Sequence, residues 1–168
     1  MPALYMVLGQ LVIAWGNIEA SLNMAISVTY HDADGKSIEP DMPQTQLKRR
    51  LDFMRDCAKK LPILAPQRGF IIGLMDKISR HSGIRNSVLH GFFSNYDTGT
   101  GALTFTSLKG KDDHHEVREI SGTLPELQRA ATQALILSED VTAFMHALSE
   151  AFRGMEDEIH QPGSKGTV

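Results

Sequence analysis

Residues 1–25, MPALYMVLGQLVIAWGNIEASLNMA, decide how the rest of the chain is read. No charged side chain precedes Glu19, and an uncharged run of 18 residues raises a membrane span as the first question. Gln10, Asn17, Glu19 and Asn23 interrupt the stretch, Gly9 and Gly16 dilute it, and it lacks the basic flank and small-residue cleavage site of a signal peptide. Leu4, Leu8, Leu11, Trp15, Ile18, Leu22 and Ala25 recur at steps of four and three, the spacing that lines one face of a helix. The stretch therefore predicts a long, mostly buried helix over residues 3–30, with no membrane as partner.

Working outward, Gly35, Pro40 and Pro43 end that helix. Leu47, Leu51, Met54 and Cys57 mark a second helix over residues 44–60, bounded by Pro62 and Pro66. Ile71, Leu74, Ile78, His81, Arg85, Val88 and Phe92 mark a third, with Gly91 as its stop. Residues 92–96, 102–108 and 116–120 are then short and rich in aromatic and β-branched side chains, and two turn sequences separate them. Thr123 reads as an N-cap with Pro125 and Glu126 in the first turn of a last helix. Along it Leu127, Ala130, Ala134, Leu137, Val141, Phe144, Leu148 and Ala151 keep a heptad spacing to about residue 155. The predicted fold class is mainly all-α. It is an antiparallel four-helix bundle in one domain, residues 1–155, with a small antiparallel β-meander at about residues 92–120 inserted before the last helix. Residues 156–168 form a flexible tail.

A chain of 168 residues and 18.6 kDa has room for one real core, and 42% hydrophobic with 22% charged residues excludes a disordered or fibrous protein. The single cysteine, Cys57, excludes an internal disulfide and a multi-cysteine metal cage, and predicts a small buried hydrophobe in a reduced, cytoplasmic setting. Net charge is only −3, but residues 48–85 hold ten bases against Asp52, Asp56 and Asp76, a block of +7 in an otherwise acidic chain. Lys48, Arg49, Arg50, Arg55, Lys77 and Arg80 of this block are candidate RNA contacts. The competing reading is that these cations are paired with acids elsewhere in the fold.

Arg85 is the position most at odds with the helix pattern. It continues the apolar stripe of the third helix, where an unpaired guanidinium is costly to bury, so it must face a carboxylate, a partner chain or an anionic ligand. Asn86 and His90, four apart, stack on one face of the same helix. A permanent cation, an amide and a titratable imidazole thus fall within two turns, a set that suits RNA phosphodiester cleavage without a metal. His90 moves the proton, Arg85 forks onto the phosphate as negative charge builds, and Asn86 orients one or the other. Attack by a ribose 2′-hydroxyl needs both a base and an acid, and a symmetric dimer would supply both. Gly83, one turn before Asn86, would let two backbones approach closely.

Arg85-Asn86-Ser87-Val88-Leu89-His90-Gly91 closing a helix resembles the arginine-to-histidine motif of the HEPN superfamily (higher eukaryotes and prokaryotes nucleotide-binding domains). The early helix with Trp15-Gly16-Asn17-Ile18-Glu19 is weaker support. The resemblance implies a HEPN-like helical bundle and a metal-independent endoribonuclease, often a toxin or phage-defence effector. It also implies a composite site at a homodimer interface and an antitoxin protein as a further partner. Arg85, Asn86 and His90 match the motif positions, Glu19 and His81 are supporting candidates, and no metal or cofactor is expected.

The alternative is a non-catalytic helical module that binds nucleotide, RNA or a protein partner. In that case Glu19 is an ion-pair partner for Arg85 or Arg80, and His81 is a hydrogen-bonded core histidine. Trp15 is read as core. Asp112, Asp113, His114, His115 and Glu116 look metal-like, but neighbouring histidines on a strand point to opposite faces, and a solvated turn is the reading kept.

Overall fold

A computed structural model describes residues 2–43, 46–111 and 114–159. The chain is mostly helical, with four helices and one small antiparallel sheet. In order these are α1 (Pro2–Asp32), α2 (Leu47–Lys60), α3 (Arg68–His90), β1 (Phe92–Asp97), β2 (Ala102–Lys111), β3 (His114–Thr123) and α4 (Leu124–Ile159), with 3₁₀ turns at Gly35–Ser37 and Pro62–Gln67. Gln44 and Thr45, expected to open the second helix, lie outside the described residues, as do residues 160–168 of the expected tail. The backbone of α4 continues through residues 156–159, four residues beyond the expected end of the bundle domain.

The core follows the apolar stripes closely. Leu4, Leu11, Trp15, Ile18, Leu22 and Ala25 of α1 are all buried, as are Leu51, Met54 and Cys57 of α2. Burial pushes the Cys57 thiol up to about 12, with the neighbouring Asp56 carboxylate adding to the effect, so the sulfur is a neutral apolar group at physiological pH. On α4 the stripe holds at Leu127 and from Ala134 to Leu148, but Ala131 is buried where the heptad pointed to the half-buried Ala130, and the far end slips by one residue as well. Phe152 is buried where the heptad pointed to Ala151, because a straight helix drifts from a strict seven-residue repeat.

Helix directions depart from the expected all-antiparallel order. Ser21 Oγ and Thr142 Oγ1 share a hydrogen bond of 3.0 Å, and farther along, Val28 and Asp32 flank one cleft with Ser149, Phe152 and Arg153. Residue numbers advance together on both sides, so α1 and α4 run parallel. By contrast α3 runs antiparallel to α4: Phe70 packs on Phe144 with ring centroids 6.0 Å apart, Lys77 pairs with Asp140, and Ile84 and Val88 sit beside Leu127. The α2 and α3 helices form an antiparallel hairpin, in which Arg68 donates to the Ala58 and Lys59 carbonyls and Arg55 reaches Asp76. Length accounts for the pairing of α1 with α4, though not for its sense. A 36-residue helix with one continuous apolar stripe needs a partner of similar reach, about 50 Å, and only the 31-residue α1 offers it. The 14 residues between α1 and α2 free α2 from doubling back along α1. The two helices meet mainly where Arg50 donates to Asn23 Oδ1 at 2.7 Å and Phe53 lies 6.3 Å from the Tyr30 ring.

The sheet is a β1-β2-β3 meander with a bulge between Phe93 and Asn95. Asp97 builds the first turn: its carboxylate accepts from the Gly99 N–H at 2.8 Å and the Thr100 hydroxyl at 2.7 Å, and these bonds hold its pKa below the ordinary value. Gly101 closes the turn at φ +71°, a conformation glycine adopts without steric cost. Thr123 hands the chain from β3 to α4. Its N–H and hydroxyl both donate to Glu126 Oε2, at 2.7 and 2.9 Å, which is half of a capping box and holds the Glu126 carboxyl below its usual range.

Gly91 is the joint between α3 and the sheet. A Cβ there would lie 2.3 Å from the Ser87 carbonyl oxygen and 3.0 Å from that of Thr106, both backbone atoms. Gly91→Ala therefore has to displace either the last turn of α3 or strand β2. The expected cost is roughly 1–3 kcal/mol of unfolding free energy, read by urea denaturation. In the same experiment Cys57 should resist a thiol reagent in the native protein and react on unfolding, since the buried neutral thiol is a poor nucleophile.

Candidate functional site

The last two turns of α3 carry the residues singled out by sequence. The guanidinium of Arg85 points at α1, where it forms an ion pair with Glu19 Oε1, and Arg85 Nη1 also donates to Asn86 Oδ1 at 2.8 Å. The Arg85 side chain is 15% exposed and that of Glu19 26%, so the pair is largely but not wholly withdrawn from water. Glu19 thus takes the ion-pair role with Arg85, and Arg80 lies elsewhere. Asn86 is exposed and meets the guanidinium edge from outside. One turn back, the buried Ser87 returns its hydroxyl to the Gly83 carbonyl at 3.1 Å, which leaves the Gly83 surface bare. His90 ends α3 four residues beyond Asn86, and its side chain lies outside the described residues.

His81 departs from expectation. It is exposed, not a core histidine, and with Lys77, Arg80, Gln133, Ile136 and Asp140 it borders a cleft between α3 and α4. After Ile78 the half-buried position is Ser82, a step of four residues in place of the step of three that predicted His81. Met75 and Ile78 are fully buried, and the next inward position one helical repeat on is Arg85 itself.

The basic block does not form one surface. Arg49 pairs with Glu39, Arg55 with both Asp52 and Asp76, Lys60 with Asp56 and Lys77 with Asp140. Arg50 is buried and bonded to Asn23, which removes it as an RNA contact. Lys48 and Arg49 share a cleft with Glu39, Asp52 and Asp56, a surface of mixed sign. Lys77 and Arg80 face α4, away from the α1 side that Arg85 occupies. Among the described residues Arg49, Arg55, Lys60, Lys77 and Arg85, half of the ten cations of the block, meet acids, which favours the competing reading of the charge block over a continuous polyanion track.

Two features escaped the sequence reading. A cleft of about 410 Å³ opens between the sheet and the α3 and α4 helices, with Leu103 and Phe105 on one wall, Val88 and Leu127 opposite, and Arg129 and Gln133 at the mouth. It forms only when β2 packs across two helices, so no local pattern marks it. The other is α1 itself, whose outer face is open and apolar: Tyr5, Met6, Val12, Ile13 and Met24 are exposed. The expectation of a mostly buried helix holds for one face only. By length and composition α1 could cross a membrane, and 44% of that apolar window is buried against the rest of the chain. The missed signal is that apolar residues fill both sides of the helical wheel, not one stripe.

Asp112 and Asp113 lie outside the described residues, and His114 and His115 are described by backbone alone, paired with Lys111 and Gly110. Among the described residues no group of three or more histidine, cysteine and acidic side chains converges as metal ligands do. Compared with family models, curated proteins and solved structures, the chain matches none.

A double-mutant cycle checks the central pair. Glu19→Gln and Arg85→Met each should cost about 1–3 kcal/mol, between the values for exposed and fully buried pairs. The double variant should recover a coupling of at least about 1 kcal/mol. Additive losses would show that the two side chains do not depend on each other.

Proposed function

We propose that the chain is a metal-independent endoribonuclease of HEPN type, acting in the cytoplasm as a toxin or defence effector, with its site completed by a second copy. The observation that carries this reading is the fixing of Arg85 at the surface end of α3. Glu19 holds the guanidinium from the protein side, the exposed Asn86 meets it from the solvent side, and the motif histidine follows one turn on. An arginine held in this way loses less rotamer freedom on gripping a phosphate than a free one does. In the proposed reaction one imidazole takes the 2′-hydroxyl proton and that oxygen attacks the adjacent phosphorus. The 5′-oxygen bond breaks, and the imidazole of the other copy gives its proton to the leaving oxygen. Arg85 bears the added negative charge on the phosphoryl oxygens. The four helices, with α3 as motif helix, are taken here as a HEPN-like bundle carrying a β-insert, and a neutralising antitoxin protein is the partner this reading adds.

A second reading has a specific observation in its favour. The Glu19 carboxylate already satisfies part of the Arg85 charge, and half of the basic block is paired with acids, as a non-catalytic binding module would have it. The two part in one assay, labelled RNA incubated with the purified chain in EDTA beside His90→Ala and Arg85→Ala. Under the ribonuclease reading the wild type cleaves and each variant is slower by at least about 100-fold. A wild type that leaves RNA intact, or variants that cleave as well as it does, sinks that reading. His90→Ala should melt close to the wild type, which separates lost chemistry from lost folding.

A further inference from the structure

We propose that the open face of α1 is the surface on which two copies of this chain pair, an inference that rests on the ribonuclease reading for its consequence. Tyr5, Met6, Gly9, Val12, Ile13, Gly16, Ala20 and Met24 form one continuous stripe along the outer side of α1, opposite the face that packs on α4. Its five large side chains are between 46% and 68% exposed. At about 150–200 Å² for a large side chain, they lay roughly 500 Å² of surface open. That is near the upper end for the largest apolar patch of a monomer. Two such stripes, wholly covered, remove about 1,000 Å² from water, the least area expected of a biological interface.

The occupant follows from the chemistry of the stripe. It carries no charge, so a copy turned through a twofold axis meets no like-charge repulsion, whereas a charged partner would find nothing to pair with. Gly9 and Gly16 have open space where a Cβ would stand, which lets a second helix backbone come close between the large side chains. Gly16 also lies one turn before Glu19, so the Arg85 pair borders the stripe. Pairing across this face sets the two motif helices on either side of one seam. A single chain brings one imidazole to a reaction that needs an acid and a base, so the site is incomplete without the second copy.

Sedimentation equilibrium of the full chain tests this, with Ile13→Glu on the stripe and Ile136→Glu as an exposed apolar control on the α3–α4 side. The wild type and Ile136→Glu should run at twice 18.6 kDa, while Ile13→Glu should dissociate with a constant raised at least about 100-fold and melt as the wild type does when diluted to monomer. A monomeric wild type overturns the proposal, as does an Ile13→Glu protein that remains dimeric. A monomer that co-sediments with neutral phosphatidylcholine vesicles overturns it in favour of a lipid surface. RNA cleavage measured on the same samples keeps the two readings apart. A dimer that Ile13→Glu breaks but that cleaves no RNA supports the interface and removes the ribonuclease, whereas cleavage by a monomer removes the interface alone.

Discussion

The parallel contact between α1 and α4 is the constraint on which the rest of the molecule hangs. Both helices exceed 30 residues, and each buries one continuous stripe against the other, pinned at mid-length by the hydroxyl pair Ser21–Thr142. Once the two run in the same sense, the α2–α3 hairpin can only lie along their flank. The end of α3 then falls beside the first half of α1. The sheet fills the gap at that end, because the chain must pass from the terminus of α3 to the start of α4, which the contacts of Val88 with Leu127 place close together. Gly91 is the joint of this arrangement, a position where two backbone carbonyls leave no room for a Cβ.

The same geometry sets the electrostatics. Arg85 lies on the core side of α3, where desolvation demands a partner, and α1 supplies Glu19 at that level. Helix rotation spreads the other cations of residues 48–85 over more than one surface, and acids from α2, α3, α4 and the α1–α2 link pair with Arg49, Arg55, Lys60 and Lys77. A charge count along the chain therefore overstated the local potential. What remains at the α1 side of α3 is a held guanidinium with an amide at its outer edge, beside an apolar helix face.

Much of the fold was legible from local pattern. Alternating steps of three and four located each helix to within a few residues, glycine and aspartate chemistry placed the first hairpin turn, and Thr123 with Glu126 marked the start of α4. That Arg85 needs a carboxylate, a partner chain or an anionic ligand was also readable, since burial of a guanidinium leaves few solutions. His81 was misplaced because steps of three and of four fit helical periodicity equally well after Ile78, and it is Ser82 that turns inward.

The sequence by itself determined which segments are helix and strand, which positions are apolar, and that Arg85 must be paired, because each of these depends on neighbours within a few residues or on the cost of burying one group. Only the tertiary structure decided that α1 and α4 run parallel, that Glu19 is the acid that answers Arg85, and that the second apolar face of α1 stays open. Those outcomes depend on which surfaces of distant segments fit one another, and a periodic pattern on one helix is equally compatible with either direction of its partner and with either face turned inward.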